Sequence, residues 1–234
     1  MSYAKRSLVS GIVSLIFGIG SAVLPASAQD IEKPEPTVPE IFTLTGEFVR
    51  VAYNNEGYVT LGYQIANDSV ADEWLLLEVG VTLRAPTKNQ TMKRDAFSLK
   101  LPDGSTIPLA TQKEFAGAGH LAALNRRANV THQSINYFPV QANRPCVIGF
   151  FSDPTKKVRS ISFDEMELSS NRACMGRLFF KVPNTIQTGQ HFLLVRFENS
   201  VVEVPFRIFT KAEEKEFHKT WKHLKKEHEA EYEN

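Results

Sequence analysis

The chain has 234 residues, of which 27 are Lys or Arg and 26 are Asp or Glu, with hydrophobic residues at 42%. A balance this close to neutral excludes nucleic-acid binders, which need clustered surplus Lys and Arg to displace phosphate counterions. The length fits one large domain or one domain with additions, and sixteen Phe spread along it suit a well-filled core.

The first residues carry an address. Lys5 and Arg6 precede an uncharged apolar run over 8–24, and Pro25, Ala26, Ser27 and Ala28 close it with small residues spaced Ala-x-Ala. That order predicts a secretory signal peptide over 1–28, cleaved after Ala28. The competing reading is an uncleaved anchor, since 7–24 just reaches bilayer-spanning length, roughly 18 residues. Four Ser and three Gly inside the run, with the Ala-x-Ala ending, favour cleavage. No cysteine lies before residue 30 to carry a lipid, and Lys5-Arg6 is not a twin arginine. No later run is apolar enough for a second span. Cleavage leaves 25 basic against 26 acidic residues, a charge of −1, on a protein expected in the periplasm or outside the cell.

Residues 29–40 hold Pro34, Pro36 and Pro39 among acids, which predicts a semi-extended spacer with nothing to pack. From Ile41 the period is two. Phe42, Leu44 and Phe48 sit at even positions and Val49, Val51 and Tyr53 at odd ones, a parity switch that predicts a β-bulge near Phe48. Asn54-Asn55-Glu56-Gly57 reads as a hairpin turn into a strand over 58–66, with Val59, Leu61, Tyr63 and Ile65 on one face. The run 73–84 keeps Leu75, Leu77, Val79, Val81 and Leu83 together, while Trp74 and Leu76 make one end apolar on both sides. Strands over 97–101 and 106–110 flank the turn Pro102-Asp103-Gly104-Ser105. Thr111 and Glu114 have capping-box spacing for a short helix carrying Phe115, Leu121 and Leu124, which Gly117 and Gly119 weaken. Further strands are expected over 135–140, 146–151, 158–163, 177–182, 191–198 and 201–209, the last two a hairpin across Asn199-Ser200. Pro205 places the final strand at an edge. Thr210 and Glu213 repeat the capping box and open a helix that runs to Tyr232, its early Glu213, Glu214 and Glu216 favoured by the helix dipole.

Short strands with regular turn signals predict a mainly β protein. The expected fold is an immunoglobulin-like antiparallel β-sandwich over 41–209 with one inserted short helix, followed by a C-terminal α-helix over 210–234. The closing stretch 189–209 resembles the last hairpin of the immunoglobulin-like domains found in many exported bacterial proteins; the resemblance covers about twenty residues and implies no activity.

Cys146 and Cys174 are expected to form one disulfide, the usual state of a cysteine pair in an exported chain, contributing up to roughly 3.5 kcal/mol by loop entropy. Asn143-Arg144-Pro145-Cys146 and Asn171-Arg172-Ala173-Cys174 echo each other. One reading is an internal duplication that sets Arg144 and Arg172 symmetrically beside the disulfide, as a site for a carboxylate or phosphate. The other is two solvent-facing arginines at strand starts. Around them, 112–182 carries ten basic residues against five acidic ones, either a patch for an anionic lipid, glycan or acidic partner, or an ordinary solvated face.

His218, His223 and His228 are spaced by five residues, about 140° apart around a helix, and share no face for a metal. No nucleophile, zinc-protease or P-loop motif occurs, no cofactor is expected, and Asp164, Glu165 and Glu167 read as a solvated loop between strands. In the tail, Phe217, Trp221 and Leu224 recur at i, i+4, i+7 as a narrow stripe that must rest on the protein's own sandwich or on a partner. Self-docking makes Trp221→Ala cost roughly 2–4 kcal/mol.

These readings point to an exported, non-catalytic binding or assembly module of the cell envelope whose partner is another envelope or secreted protein. Nucleic acid and a stable membrane span after cleavage are not expected. The alternatives are a glycan-directed hydrolase with carboxylates from separate strands, and a carrier for a small apolar ligand near Trp74.

Overall fold

The computed structural model describes residues 46–155 and 162–232. The signal peptide, the Pro-rich spacer, Phe42, Leu44 and most of the strand expected over 158–163 lie outside the described residues.

Strand β1 (Val49–Tyr53) turns into β2 (Gly57–Gly62), followed by a single helical turn, α1 (Gln64–Asn67), and the long β3 (Trp74–Leu83). Next come β4 (Gln90–Lys93), β5 (Phe97–Lys100) and β6 (Thr106–Pro108), then helices α2 (Gln112–Gly117) and α3 (Leu121–Val130). The chain continues through β7 (Arg144–Val147), β8 (Glu165–Leu168), β9 (Arg172–Lys181), β10 (Gly189–Arg196) and β11 (Val201–Ile208) into α4 (Lys211–Tyr232). The protein is therefore mainly β, with several sheets and a C-terminal helix. One sheet has the order β1-β2-β3-β9-β7, a second β11-β10-β5-β6, and β4 pairs with β8 alone.

The period-two pattern explains the core. Val59, Leu61, Leu77, Leu178 and Phe180 of the five-stranded sheet meet Phe97, Leu99, Leu193, Val195, Val204 and Phe206 of the four-stranded one in a single buried cluster. Each such side chain contributes about 1.5–3 kcal/mol on leaving water. The doubly apolar end of β3 is covered by the chain itself: Trp74, Leu76 and Phe179 pack under Phe115 of α2 and Leu121 and Leu124 of α3. Farther along the same outer face, Phe138 lies over Gly80, where a Cβ would come within 2.5 Å of its ring and 2.3 Å of Thr60 Oγ1. An alanine has no room there.

Several elements differ from expectation. No bulge is needed at Phe48, because β1 is buried on both faces: Phe48 and Ala52 face the shared core, while Val49 and Val51 are buried on the opposite side. The strand over 58–66 stops at Gly62, and α1 takes the rest. The inserted helix is broken into α2 and α3 at Ala118, its capping box intact and Gly117 and Gly119 at the break. Residues 135–140 form no strand; Ile135 and Phe138 cover Gly62 and Gly80 as side chains without a ladder partner. The strand expected over 146–151 is displaced to Arg144–Val147, sharing only two residues with it, and that over 177–182 starts earlier, running Arg172–Lys181. Glu165 and Glu167 belong to β8 rather than a loop. The sheet is also not wholly antiparallel: β7 runs parallel to β9, because the intervening chain climbs through β8 before β9 begins.

Three of the four edge strands of the larger sheets carry a proline: Pro108 in β6, Pro145 in β7 and Pro205 in β11. Arg144 and Ile148 donate their N–H groups to the carbonyls of Asn171, just before β9, and of Met175 within it, so Pro145 occupies an outward position where no donor is lost from the sheet. On β11 the outward positions are also closed by Asn67, which accepts the Phe209 N–H at 2.7 Å and donates to the Arg207 carbonyl at 3.2 Å. Edges built this way resist pairing with another strand.

Candidate functional site

The echoed motifs meet. In the β7–β9 pair Arg144 lies opposite Arg172, Pro145 opposite Ala173, and Cys146 opposite Cys174. Same-register residues of adjacent strands sit about 4.8 Å apart, and residues two apart share a face, so both arginines lie on the disulfide's side of the sheet. Cys146 and Cys174 are joined, with Cα atoms 4.1 Å apart. Cys174 is fully buried and Cys146 half-buried, so the bridge ties an exposed edge strand to the core.

The turn Ser169-Ser170-Asn171 sets where the arginines begin. The Ser169 hydroxyl donates to Asn171 Oδ1 at 2.7 Å, the Thr82 hydroxyl donates to the Ser169 carbonyl at 3.2 Å, and the Arg144 N–H donates to the Asn171 carbonyl at 2.9 Å. The cleft beside this turn has a volume of about 220 Å³ and is lined by Asn89, Arg144, Glu167, Ser170, Asn171 and Arg172. Arg172 Nη1 lies 3.5 Å from Glu167 Oε2, a loose pair between exposed side chains. Arg144 is exposed and has no ion-pair partner among the described residues.

The tail stripe is split by the fold. The Phe217 ring rests on Phe209 at 4.7 Å and on Phe48 at 5.6 Å, and His218 is hydrogen-bonded to Glu47. Trp221 is half-buried and Leu224 is 37% exposed. At the helix start Glu213 accepts from the Thr210 N–H and hydroxyl, which together with Arg207 hold its carboxyl down at about 2.

Two polar clusters lie outside the sequence-level reasoning. Glu56 is buried in the β1–β2 turn, where it accepts from the Ser200 hydroxyl at 2.7 Å, the Asn199 N–H at 3.1 Å and Gln90 Nε2 at 3.1 Å. Glu78 accepts from Arg177 at 3.0 Å and pairs with His132 at 2.9 Å, while Arg177 also donates to Asn125 Oδ1 at 2.6 Å. The one signal for the second cluster was a carboxylate in the middle of an otherwise apolar strand. Among the described residues no group of three His, Cys, Asp or Glu is placed to hold a metal ion, and no helix is long and apolar enough to cross a membrane.

Compared with family models, with curated proteins and with solved structures, the chain matches none of them.

Proposed function

We propose that the chain is an exported, non-catalytic binding or assembly module of the cell envelope, immunoglobulin-like in layout, acting in the periplasm or outside the cell. Residues 1–28 are its cleaved signal, 29–40 a spacer, 41–209 the sandwich and 210–234 a docked tail. The observation that carries the reading is the in-register pair of Arg144 on the edge strand β7 and Arg172 on β9, whose side chains reach solvent beside the Cys146–Cys174 disulfide. A rigid edge that presents two cations outward suits recognition of another molecule. The signal order and the disulfide support export together, since such bridges persist in oxidising compartments.

The buried carboxylates argue for binding over hydrolysis. Glu56 and Glu78 are each engaged by several donors of the chain itself, which leaves neither positioned as a general acid in an open groove. The apolar end near Trp74, where a carrier would need a cavity, is filled by Phe115, Leu121 and Leu124. Pull-down from the native envelope extract, comparing the mature protein with its R144E/R172E variant, tests the reading. Specific capture that the double variant loses is the expected result; an unchanged capture profile removes the arginines as the binding surface.

A further inference from the structure

A carboxylate already rests on one half of the arginine pair. Glu167 approaches Arg172 at 3.5 Å although its side chain is 79% exposed and that of Arg172 is 44% exposed. It reaches one arginine only, and Arg144 beside it has no ion-pair partner among the described residues. The rest of the cleft is rich in donors. Asn89 and Ser170 line it, and the Ser169 hydroxyl occupies Asn171 Oδ1, which leaves the Asn171 amide N–H groups as donors. At about 220 Å³ it has room for a carboxylate between the two arginines.

Building on the binding-module reading, we propose that Arg144 and Arg172 form a receptor for a carboxylate of an acidic polypeptide segment, which enters by displacing Glu167. Guanidinium forks match the two oxygens of a carboxylate, and one carboxylate between in-register arginines contacts both. Glu167 is the chain's own stand-in for that ligand. An exposed pair of this kind is held only weakly, so an incoming carboxylate that reaches both cations outcompetes it. A segment that wraps the edge strand also meets apolar surface that an inorganic anion cannot use. Val147 of β7 is 76% exposed on the face opposite Arg144. Farther along, Phe163 is 59% exposed and tied to the strand's continuation through its N–H to the Gly149 carbonyl. Pro145 withholds one of the two outward donors of β7, which breaks a regular backbone ladder and leaves the side chains to hold the segment.

The test is fluorescence anisotropy of a labelled peptide of mixed Glu and Leu, titrated with the full mature chain. R144Q/R172Q is expected to weaken binding by about tenfold or more, through loss of charge-assisted hydrogen bonds. Glu167→Gln is expected to tighten it about threefold, a gain that a merely structural glutamate would not produce. Both variants should keep the parent unfolding midpoint. Unchanged affinity in R144Q/R172Q, or weaker binding in Glu167→Gln, overturns the proposal. So does binding of inorganic phosphate or of a uronic-acid oligosaccharide more tightly than the peptide. Should the peptide fail while R144Q/R172Q still abolishes capture from extract, the arginines remain the binding surface and the polypeptide carboxylate is rejected. Should capture also persist in that variant, the binding-module reading falls with it.

Discussion

Two charged clusters share one end of the five-stranded sheet, since Gly57 lies opposite Leu83 and Cys174 opposite Val81. At Glu56 a carboxylate is buried and answered in full by Ser200, Asn199 and Gln90, which tie the β1–β2 turn to the β10–β11 turn. At Arg144 and Arg172 two cations are exposed and answered by a single loose carboxylate. Burying a charge is tolerated only when hydrogen bonds replace its water, so the first cluster must serve the fold. An exposed, under-paired charge carries no such obligation. The contrast separates a structural clasp from a surface that faces other molecules.

The largest expected loss comes from the bridge that underlies the arginines. C146S/C174S should lower stability by about 2–4 kcal/mol, from the freed loop, and should also blunt any binding that depends on Arg144 staying opposite Arg172. Chemical denaturation read beside peptide anisotropy checks both. A variant that loses stability yet binds normally would show that strand pairing alone keeps the arginines aligned.

Glu56→Ala follows closely. It strands the buried Ser200 hydroxyl and frees the Asn199 amide to solvent, at a cost of about 1–3 kcal/mol, and should leave peptide affinity untouched. A stable Glu56→Ala protein with altered affinity would merge the two clusters into one site and break the comparison. In the tail, the weight shifts from Trp221 to Phe217. Phe217→Ala should cost about 1–3 kcal/mol because its ring stacks on Phe209 and packs at a tilt against Phe48, whereas half-buried Trp221→Ala should cost no more than about 1 kcal/mol. Equal melting shifts for the two would show that the helix docks farther along its length.

Burial beside Phe206 pushes the His191 imidazole pKa below its ordinary value, against a weaker opposing effect of its hydrogen bond to the Gly189 carbonyl. Above about 6.5 both folded and unfolded forms are neutral and nothing is lost. As pH falls through that value the unfolded chain takes the proton first, so stability declines until the folded group also titrates. Urea midpoints from pH 7.5 to 4.5 should therefore slope more steeply for the parent than for His191→Gln. Parallel slopes would rule out this residue as the source.

Much of the fold was legible because local chemistry agreed with it. Asn54-Gly57, Pro102-Ser105 and Asn199-Ser200 each place a turn between alternating runs, and Thr111 and Thr210 cap helices where their spacing said. What stayed hidden depends on pairing across the chain. β4 offers Met92 as its one apolar residue, and β8 has only Met166 and Leu168 between acids, so neither shows a periodic face until the two are laid together. The arginine echo was visible as a repeat, but its meaning rests on parallel register, and antiparallel alternation predicts nothing of that kind. Glu56 looked like turn filler, since Asn199 and Ser200, which donate to it, lie some 140 residues away in the β10–β11 turn.

The smallest expected effect on stability is the most informative. R144A/R172A should change the unfolding free energy by no more than about 0.5 kcal/mol, because both side chains reach solvent and the one ion pair between Arg172 and Glu167 is loose. The same variant should abolish capture of an acidic partner. A protein that keeps its stability and loses its binding places these arginines opposite Glu56, whose removal does the reverse. If R144A/R172A instead unfolds the domain as Glu56→Ala does, the pair is a second clasp holding β7 against β9, and the outward face of the molecule must lie elsewhere, with Trp221 and Leu224 on the exposed stretch of α4 the next place to look.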